Sequence, residues 1–183
     1  MLQNKIKIWK PSAYLRVTRE KSQEAMSSTL LTLRQPLQDF SENVTYIISD
    51  IEKPKDFFVC GVANIVSEKV MSVITSHSDA KVQFFPVQVI FNEESAGKYY
   101  YMNVFSEVDC FDFEKSKYDY DNDFDIIESI HQLILKPVDE RHKLFFVENI
   151  DFPILCISET LTLRLKEAGC TGIKFMDPSQ IFC

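Results

Sequence analysis

The sequence predicts an α+β fold: a single domain over residues 1–183, with a mixed or antiparallel sheet and two covering helices. Three observations carry this. Short runs rich in Phe, Tyr, Val and Ile recur along the chain, bounded by turn residues, as strands require. Two helix-compatible stretches each open on an apolar pair followed by Ser-Glu. Finally, 183 residues that are 45% hydrophobic and 26% charged lie in the globular range and suffice to bury roughly 70% of the unfolded surface in one core.

In chain order, Lys5 to Trp9 alternates in the strand manner and Pro11 is expected to interrupt it. Ser12 to Phe40, with its Ser/Thr-rich middle Ser22 to Thr32, reads as loop plus one short element, and residues 1–50 as a whole hold little readable pattern. Tyr46 to Ser49 and Phe57 to Cys60 are short β-prone runs separated by a charged turn at Pro54. Val82 to Ile90 is apolar on both faces and so reads as a central strand, with Pro86 implying a bulge. Gly97 turns the chain into Tyr99 to Val108, read as one long strand, so that residues 82–108 form a hairpin. Further strands are expected near Phe145 and Ile173. Phe84, Phe85, Phe145, Phe146 and Phe175 are the expected core aromatics.

Segments 56–91 and 143–178 hold an internal similarity whose matched motifs stand 91 residues apart. Ile65-Val66-Ser67-Glu68 corresponds to Cys156-Ile157-Ser158-Glu159, and Val82-Gln83-Phe84 to Ile173-Lys174-Phe175. In each copy the serine suits an N-cap, because its oxygen accepts from an otherwise unpaired amide of the first turn, and the glutamate favours the positive end of the helix dipole. The helices predicted are about Glu68 to Ser76 and about Glu159 to Ala168. Gly169 stands where a left-handed C-cap glycine belongs and Gly172 opens the next strand. Duplication of a strand, Ser-capped helix and strand accounts for this pattern, and so does coincidence of two capped helices.

The net charge is localised. Of 27 acids and 20 bases, nine and two lie between Glu107 and Glu128, so that segment carries the whole charge of −7 and the rest balances at 18 of each. No Lys/Arg cluster has the density that displaces counterions from phosphates, which argues against nucleic-acid binding. No apolar run approaches the ~20 residues of a membrane span, and Met1 to Lys10 alternates Lys with Ile instead of forming a signal-peptide block. A cytoplasmic location is expected. The five cysteines, Cys60, Cys110, Cys156, Cys170 and Cys183, are an odd number without a Cys-x-x-Cys pair, and neither a disulfide framework nor a zinc site is written in them.

Catalytic signatures are missing from the pattern. With only four glycines, Gly61, Gly97, Gly169 and Gly172, no phosphate-cradling loop or dinucleotide fingerprint assembles, and neither Gly-x-Ser-x-Gly nor His-Glu-x-x-His occurs. Ser67 and Ser158 each precede a Glu, but adjacent helical residues do not face each other, so these are no nucleophile–base pairs. His77, His131 and His142 read as solvated: the first in the turn after a helix, the second on a short helix, the third in the charged turn Asp139 to Lys143. A spatial pairing of one of them with Cys60 or Cys110 stays open. The run Asp119-Tyr120-Asp121-Asn122-Asp123-Phe124-Asp125 lacks the Gly and Glu of an EF-hand loop, having Phe124 and Ile130 at those positions. No cofactor and no metal ligand set is expected.

The two apolar-Ser-Glu helix starts, the strand Phe84-Phe85-Pro86-Val87, the stretch Asn103…Val108-Asp109…Ser116 and the closing Thr171-Gly172-Ile173-Lys174-Phe175 together resemble the eleventh immunity-protein family of bacterial polymorphic toxin systems. The resemblance covers about Val62 to Phe175, with Pro36-Leu37…Asp39-Phe40 as an upstream echo, and rests on the order and spacing of its motifs. It implies a small cytosolic antidote that binds a toxin encoded beside it, without catalysis. The alternative is an enzyme or small-ligand-binding domain whose pocket no motif signals.

The acidic segment alternates carboxylates with aromatics from Phe111 to Asp125, which suits either a solvated loop or a protein interface. On the interface reading, Asp112, Tyr118, Asp119, Tyr120, Asp121, Asp123 and Asp125 contact a cognate toxin with a basic surface. Oligomeric state is not legible in the pattern.

Overall fold

A computed structural model describes residues 5–12, 15–20, 34–38, 44–150 and 152–181. Most of the Ser12 to Phe40 stretch lies outside the described residues. Its described part includes one short strand.

The elements are β1 (Ile6–Pro11), β2 (Val17–Glu20), β3 (Thr45–Ile48), β4 (Phe57–Cys60), β5 (Ala63–Ser67), α1 (Glu68–His77), β6 (Val82–Phe91), β7 (Glu94–Ser95), β8 (Tyr99–Val104), β9 (Glu107–Val108), β10 (Lys117–Asp121), β11 (Ile126–Gln132), β12 (Leu144–Val147), β13 (Leu155–Ser158), α2 (Glu159–Glu167) and β14 (Ile173–Met176), followed by a 3₁₀ turn at Pro178–Gln180. They form an α+β molecule of two mixed sheets and a separate hairpin. One sheet runs β14-β1-β13-β12-β9, the other β2-β3-β6-β8-β5-β4 with β7 beside β6, and β10 pairs only with β11.

The two Ser-Glu units are built on one plan. β5 and β6 both lie antiparallel to β8, which separates them, and β4 adds antiparallel on the far side of β5. In the same way β13 and β14 flank β1, and β12 adds on the far side of β13. The agreement extends to single hydrogen bonds. The Ser67 amide donates to Asp56 O and the Glu68 amide to Lys98 O; the Ser158 amide donates to Lys143 O and the Glu159 amide to Lys5 O. At the other end of the inserted strand, Phe105 N donates to Lys81 O and Ser12 N to Gly172 O. Each acceptor immediately precedes a strand, so each helix start is fixed by its hairpin neighbour and its inserted strand together. The difference is connectivity: β8 follows β6 through a hairpin, whereas β1 arrives from the beginning of the chain.

Both helices start as their sequences predict. Ser67 Oγ accepts from Val70 N at 3.4 Å, Ser158 Oγ accepts from Leu161 N at 3.2 Å, and Glu68 and Glu159 fill the first turns. Val70 and Ile74 of α1 and Leu161 and Leu165 of α2 point into one core with Trp9, Phe57, Val66, Met102, Val104, Leu144, Phe146, Leu155 and Ile157. A second core lies on the other face of the larger sheet around Tyr46, Phe58, Ile65 and Tyr101. A third lies behind the smaller sheet around Phe111, Ile130, Leu133, Phe145 and Cys156.

The strand expected to be interrupted at Pro11 does end there, with Pro11 itself as its last residue, paired with Ile173 and beyond the stretch of β1 that β13 accompanies, where a missing amide costs little. Several expectations need correction. Pro86 causes no bulge: β6 and β8 stay in register from Val82↔Val104 to Val87↔Tyr99, and β3 pairs with β6 only from Gln88 onward, so no neighbouring strand asks for the missing donor. The strand read as Tyr99 to Val108 breaks after Val104, and β9 joins the other sheet, parallel to β12. His131 stands on β11 instead of a helix, and His77 is the last residue of α1. Among the expected core aromatics Phe145 and Phe146 are buried, while Phe84, Phe85 and Phe175 are half-buried against the cores.

Asp56 ties the two units together. Its carboxylate accepts from Ser67 Oγ at 2.8 Å, Lys69 Nζ at 3.0 Å, Thr171 N at 2.8 Å and Thr171 Oγ1 at 2.7 Å. One side chain thus braces the cap of α1 against the turn leaving α2. Partial burial works to raise its pKa, but the donors from Thr171, Lys69 and Ser67 outweigh that and hold it below the ordinary value. Beside it, Gly172 has φ +85, and a Cβ there would lie 2.3 Å from Phe57 O, on the backbone of β4.

Three outcomes follow from these contacts. Gly172→Val should lower the melting temperature far more than Gly97→Val, because Gly97 also has a positive φ (+122) but open space around it; equal melting temperatures would contradict the close approach. Ser67→Ala and Ser158→Ala should each cost about 1 kcal/mol in urea unfolding. Asp56→Ala should cost about 2 kcal/mol at neutral pH, the scale of hydrogen bonds to a charged group. Since a depressed pKa contributes stability that is complete above the unfolded value, near 3.8, and is lost as pH falls through the lower folded value, the gap between wild type and Asp56→Ala should narrow in acid. A gap independent of pH would show that the carboxylate charge plays no part.

Candidate functional site

The acidic segment is a β-hairpin leaning on the body of the molecule, where a loop had been one of the two readings. Tyr118, Ile127, Ile130 and Leu133 hold it on the third core, and Phe111 meets Phe113 at 4.6 Å and Tyr118 at 5.6 Å between ring centroids. β10 and β11 pair from Lys117↔Gln132 to Asp121↔Ile126 with two register shifts. Those irregularities change which residues face outward, so the aromatic alternation does not divide cleanly into a buried and an exposed face.

The carboxylates divide into two groups. Near the body each has a partner: Glu107 pairs with Arg34 at 2.9 Å, Asp109 with Lys136 at 3.3 Å and Asp112 with Lys115 at 2.9 Å, while Asp119 meets the His131 ring at 2.7 Å. Asp112 also accepts from the Glu114 and Lys115 amides, and the hydrogen bond from Lys115 holds its pKa below the ordinary value. Its side chain is largely covered and closes its own turn. Asp119 accepts a further bond from Ser129 Oγ at 2.6 Å; Ser129 first and His131 next lower its pKa. Although Ser129, Asp119 and His131 gather here, Asp119 and Ser129 meet the same nitrogen, Nε2, of the histidine. A nucleophile–base–orienter relay needs both ring nitrogens, so this is a surface hydrogen-bond cluster.

Toward the tip the balance changes. Among the described residues, Asp121, Asp123 and Asp125 make no ion pair, nor do Glu128 along β11 and Glu114 in the turn before β10. Asp121 Oδ1 accepts from the Asp123 and Phe124 amides at 2.8 and 3.2 Å, Asp125 adopts φ +58, and the Tyr120 hydroxyl donates to Asp125. These bonds define the tip and leave its charge uncancelled. Phe124, which the sequence reading did not single out as a contact residue, is 75% exposed there, flanked by Tyr120 at 43% and Ile126 at 37%. Of the residues expected to meet a partner, Tyr120, Asp121, Asp123 and Asp125 share this tip, Tyr118 and Asp119 lie along the hairpin, and Asp112 is held in the preceding turn.

The other surfaces offer less chemistry. A cleft of about 450 Å³ between the sheets is walled by Trp9, Phe57, Met102, Phe146 and Leu155. At its rim Arg34 already serves Glu107, the Val147 and Phe152 carbonyls and the face of Phe146. Burial pushes the Cys110 thiol up to about 12 and the Cys170 thiol up to about 11, the opposite of the shift that activates a nucleophile. Among the described residues no helix is long and apolar enough to cross a membrane.

A search of curated proteins finds no match. A model of the immunity protein family Imm11, however, matches residues 3–180, reaching beyond the Val62 to Phe175 resemblance at both ends and taking in most of the first fifty residues. The two Ser-capped units, the strand β1 from the opposite end of the chain and the acidic hairpin all fall inside that match, and the chain belongs to the Imm11 immunity protein family.

Proposed function

We propose that this protein is a cytoplasmic antidote that binds its cognate toxin and neutralises it without catalysis, through the acidic hairpin β10–β11 and a basic surface on the toxin. Membership of an immunity protein family supports the toxin partner in general. The observation that carries the choice of surface is the run of uncancelled carboxylates at Asp121, Asp123 and Asp125, raised on a hairpin beside exposed aromatics. Outside residues 107–128 acids and bases balance, and within that segment the hairpin tip gathers three carboxylates with no ion pair among the described residues, so this is where a basic partner is steered. Complementary charge raises the association rate most strongly at low salt, while buried aromatic contacts set the lifetime of the complex.

Replacing Asp119, Asp121, Asp123 and Asp125 by Asn isolates the charge, because an Asn side-chain oxygen still accepts the turn bonds at position 121 and Asn tolerates the left-handed backbone at position 125. Against the isolated C-terminal toxin domain encoded beside this chain, that variant should associate about tenfold or more slowly at low salt and show a flattened salt dependence, with little change in dissociation. An unchanged on-rate at low salt would place the interface elsewhere on the molecule.

A further inference from the structure

The hairpin does more than present charge. Its tip holds three apolar side chains in water: Phe124, 75% exposed, Tyr120 and Ile126. Large side chains gathered at an exposed end carry a solvation cost that a soluble protein normally avoids unless something covers them. The surrounding bonds keep the tip in shape, since Asp121 Oδ1 caps the Asp123 and Phe124 amides and the Tyr120 hydroxyl ties back to Asp125. A backbone held in this way has little freedom left to lose on binding, so the Phe124 ring is offered from a fixed base.

Resting on the proposed toxin-binding role, we infer that Phe124 is the central anchor of the interface and that it enters an apolar pocket on the toxin rimmed by Lys or Arg. Charge complementarity selects this occupant. The ring stands between Asp123 and Asp125 and three residues beyond Asp121, none of which makes an ion pair among the described residues, so any surface that covers the ring must bring its own cations. A flat basic face would satisfy the carboxylates but leave the ring in water. A second copy meeting tip to tip would set the same three aspartates against their counterparts, which is repulsive at close range. A purely apolar pocket would strip water from the aspartates without compensation. The basic-rimmed pocket alone satisfies ring and carboxylates together. Tyr120 and Ile126 then form the surrounding contacts that exclude water from the anchor.

The test uses the full-length protein and the isolated toxin domain encoded beside it, with kinetics followed by surface plasmon resonance. Phe124→Ala should leave the melting temperature unchanged, because the ring is exposed, and should speed dissociation about thirtyfold or more, the scale of an interface hot spot. Its association rate should stay within about threefold of wild type. Phe124→Leu, which keeps apolar bulk, should recover a large part of the loss. If Phe124→Ala dissociates like wild type while the four-Asn variant associates slowly, the acidic surface stands and the anchor is overturned. If both variants behave as wild type, the toxin-binding reading of the hairpin itself fails. Sedimentation of the free protein supplies the remaining arm: a concentration-dependent dimer that Phe124→Ala abolishes would assign the tip to self-association and overturn the inference.

Discussion

The molecule depends on one shared core. Its two sheets have no strand in common, and nothing in their backbone hydrogen bonding requires them to associate. What holds them together is the apolar layer to which α1, α2 and one face of each sheet contribute, with Trp9 of the smaller sheet against Phe57 of the larger at 5.3 Å and against Phe175 at 6.0 Å. A helix of nine or ten residues is marginal in water, so each helix here exists because its inner face is buried there. The capping serines place the helix starts, and the core makes the helices persist. Asp56 adds a polar brace at the margin of that layer, binding the start of one helix to the turn after the other. The hairpin is outside this arrangement. It rests on a separate core behind the smaller sheet, and Phe124 at its tip is largely exposed.

What was legible in the sequence is what local chemistry decides. The two caps were readable because a serine oxygen, an acidic first turn and an apolar inner face all lie within a few residues of one another. β4 and the β6–β8 pairing were readable from β-prone runs and the turn at Gly97. The breaks in the reading are tertiary. Nothing in Tyr99 to Val108 announces that the chain leaves one sheet after Val104 and enters another at Glu107, since both pieces are equally β-prone; the distant partner Phe146–Val147 decides it. Pro86 was overinterpreted because the harm a proline does depends on whether a neighbour wants its amide, and that is a property of the sheet.

The acidic segment shows the same limit from the other side. Its composition was conspicuous, but its conformation was hidden. Two-residue hairpins are normally signalled by Asn-Gly or Asp-Gly, whereas this one turns through Asn122 to Asp125 on an aspartate cap and an aspartate in the left-handed region, so the residues that make the turn are the ones that make the charge. Four carboxylates nearer the body are matched with Arg34, Lys136, Lys115 and His131, two of them from distant parts of the chain. Counting charges along the sequence located the excess within 22 residues, yet among the described residues the part of it without an ion pair is a smaller set, of which Asp121, Asp123 and Asp125 stand together at one end of a hairpin.

The strand β1 has a consequence for the order of events during synthesis. It leaves the ribosome well before its partners Cys156 to Ser158 and Ile173 to Met176, which follow some 150 residues later. The unit built on β5, α1, β6 and β8 is complete once residue 104 has emerged. Its counterpart must wait, holding Trp9 and Ile8 without their sheet while some 150 further residues are added. Closing so long a loop is costly in chain entropy and slow. Were the first unit to fold as soon as it is complete, it would present the half of the shared core that belongs to the second, uncovered until β13, α2 and β14 have been added.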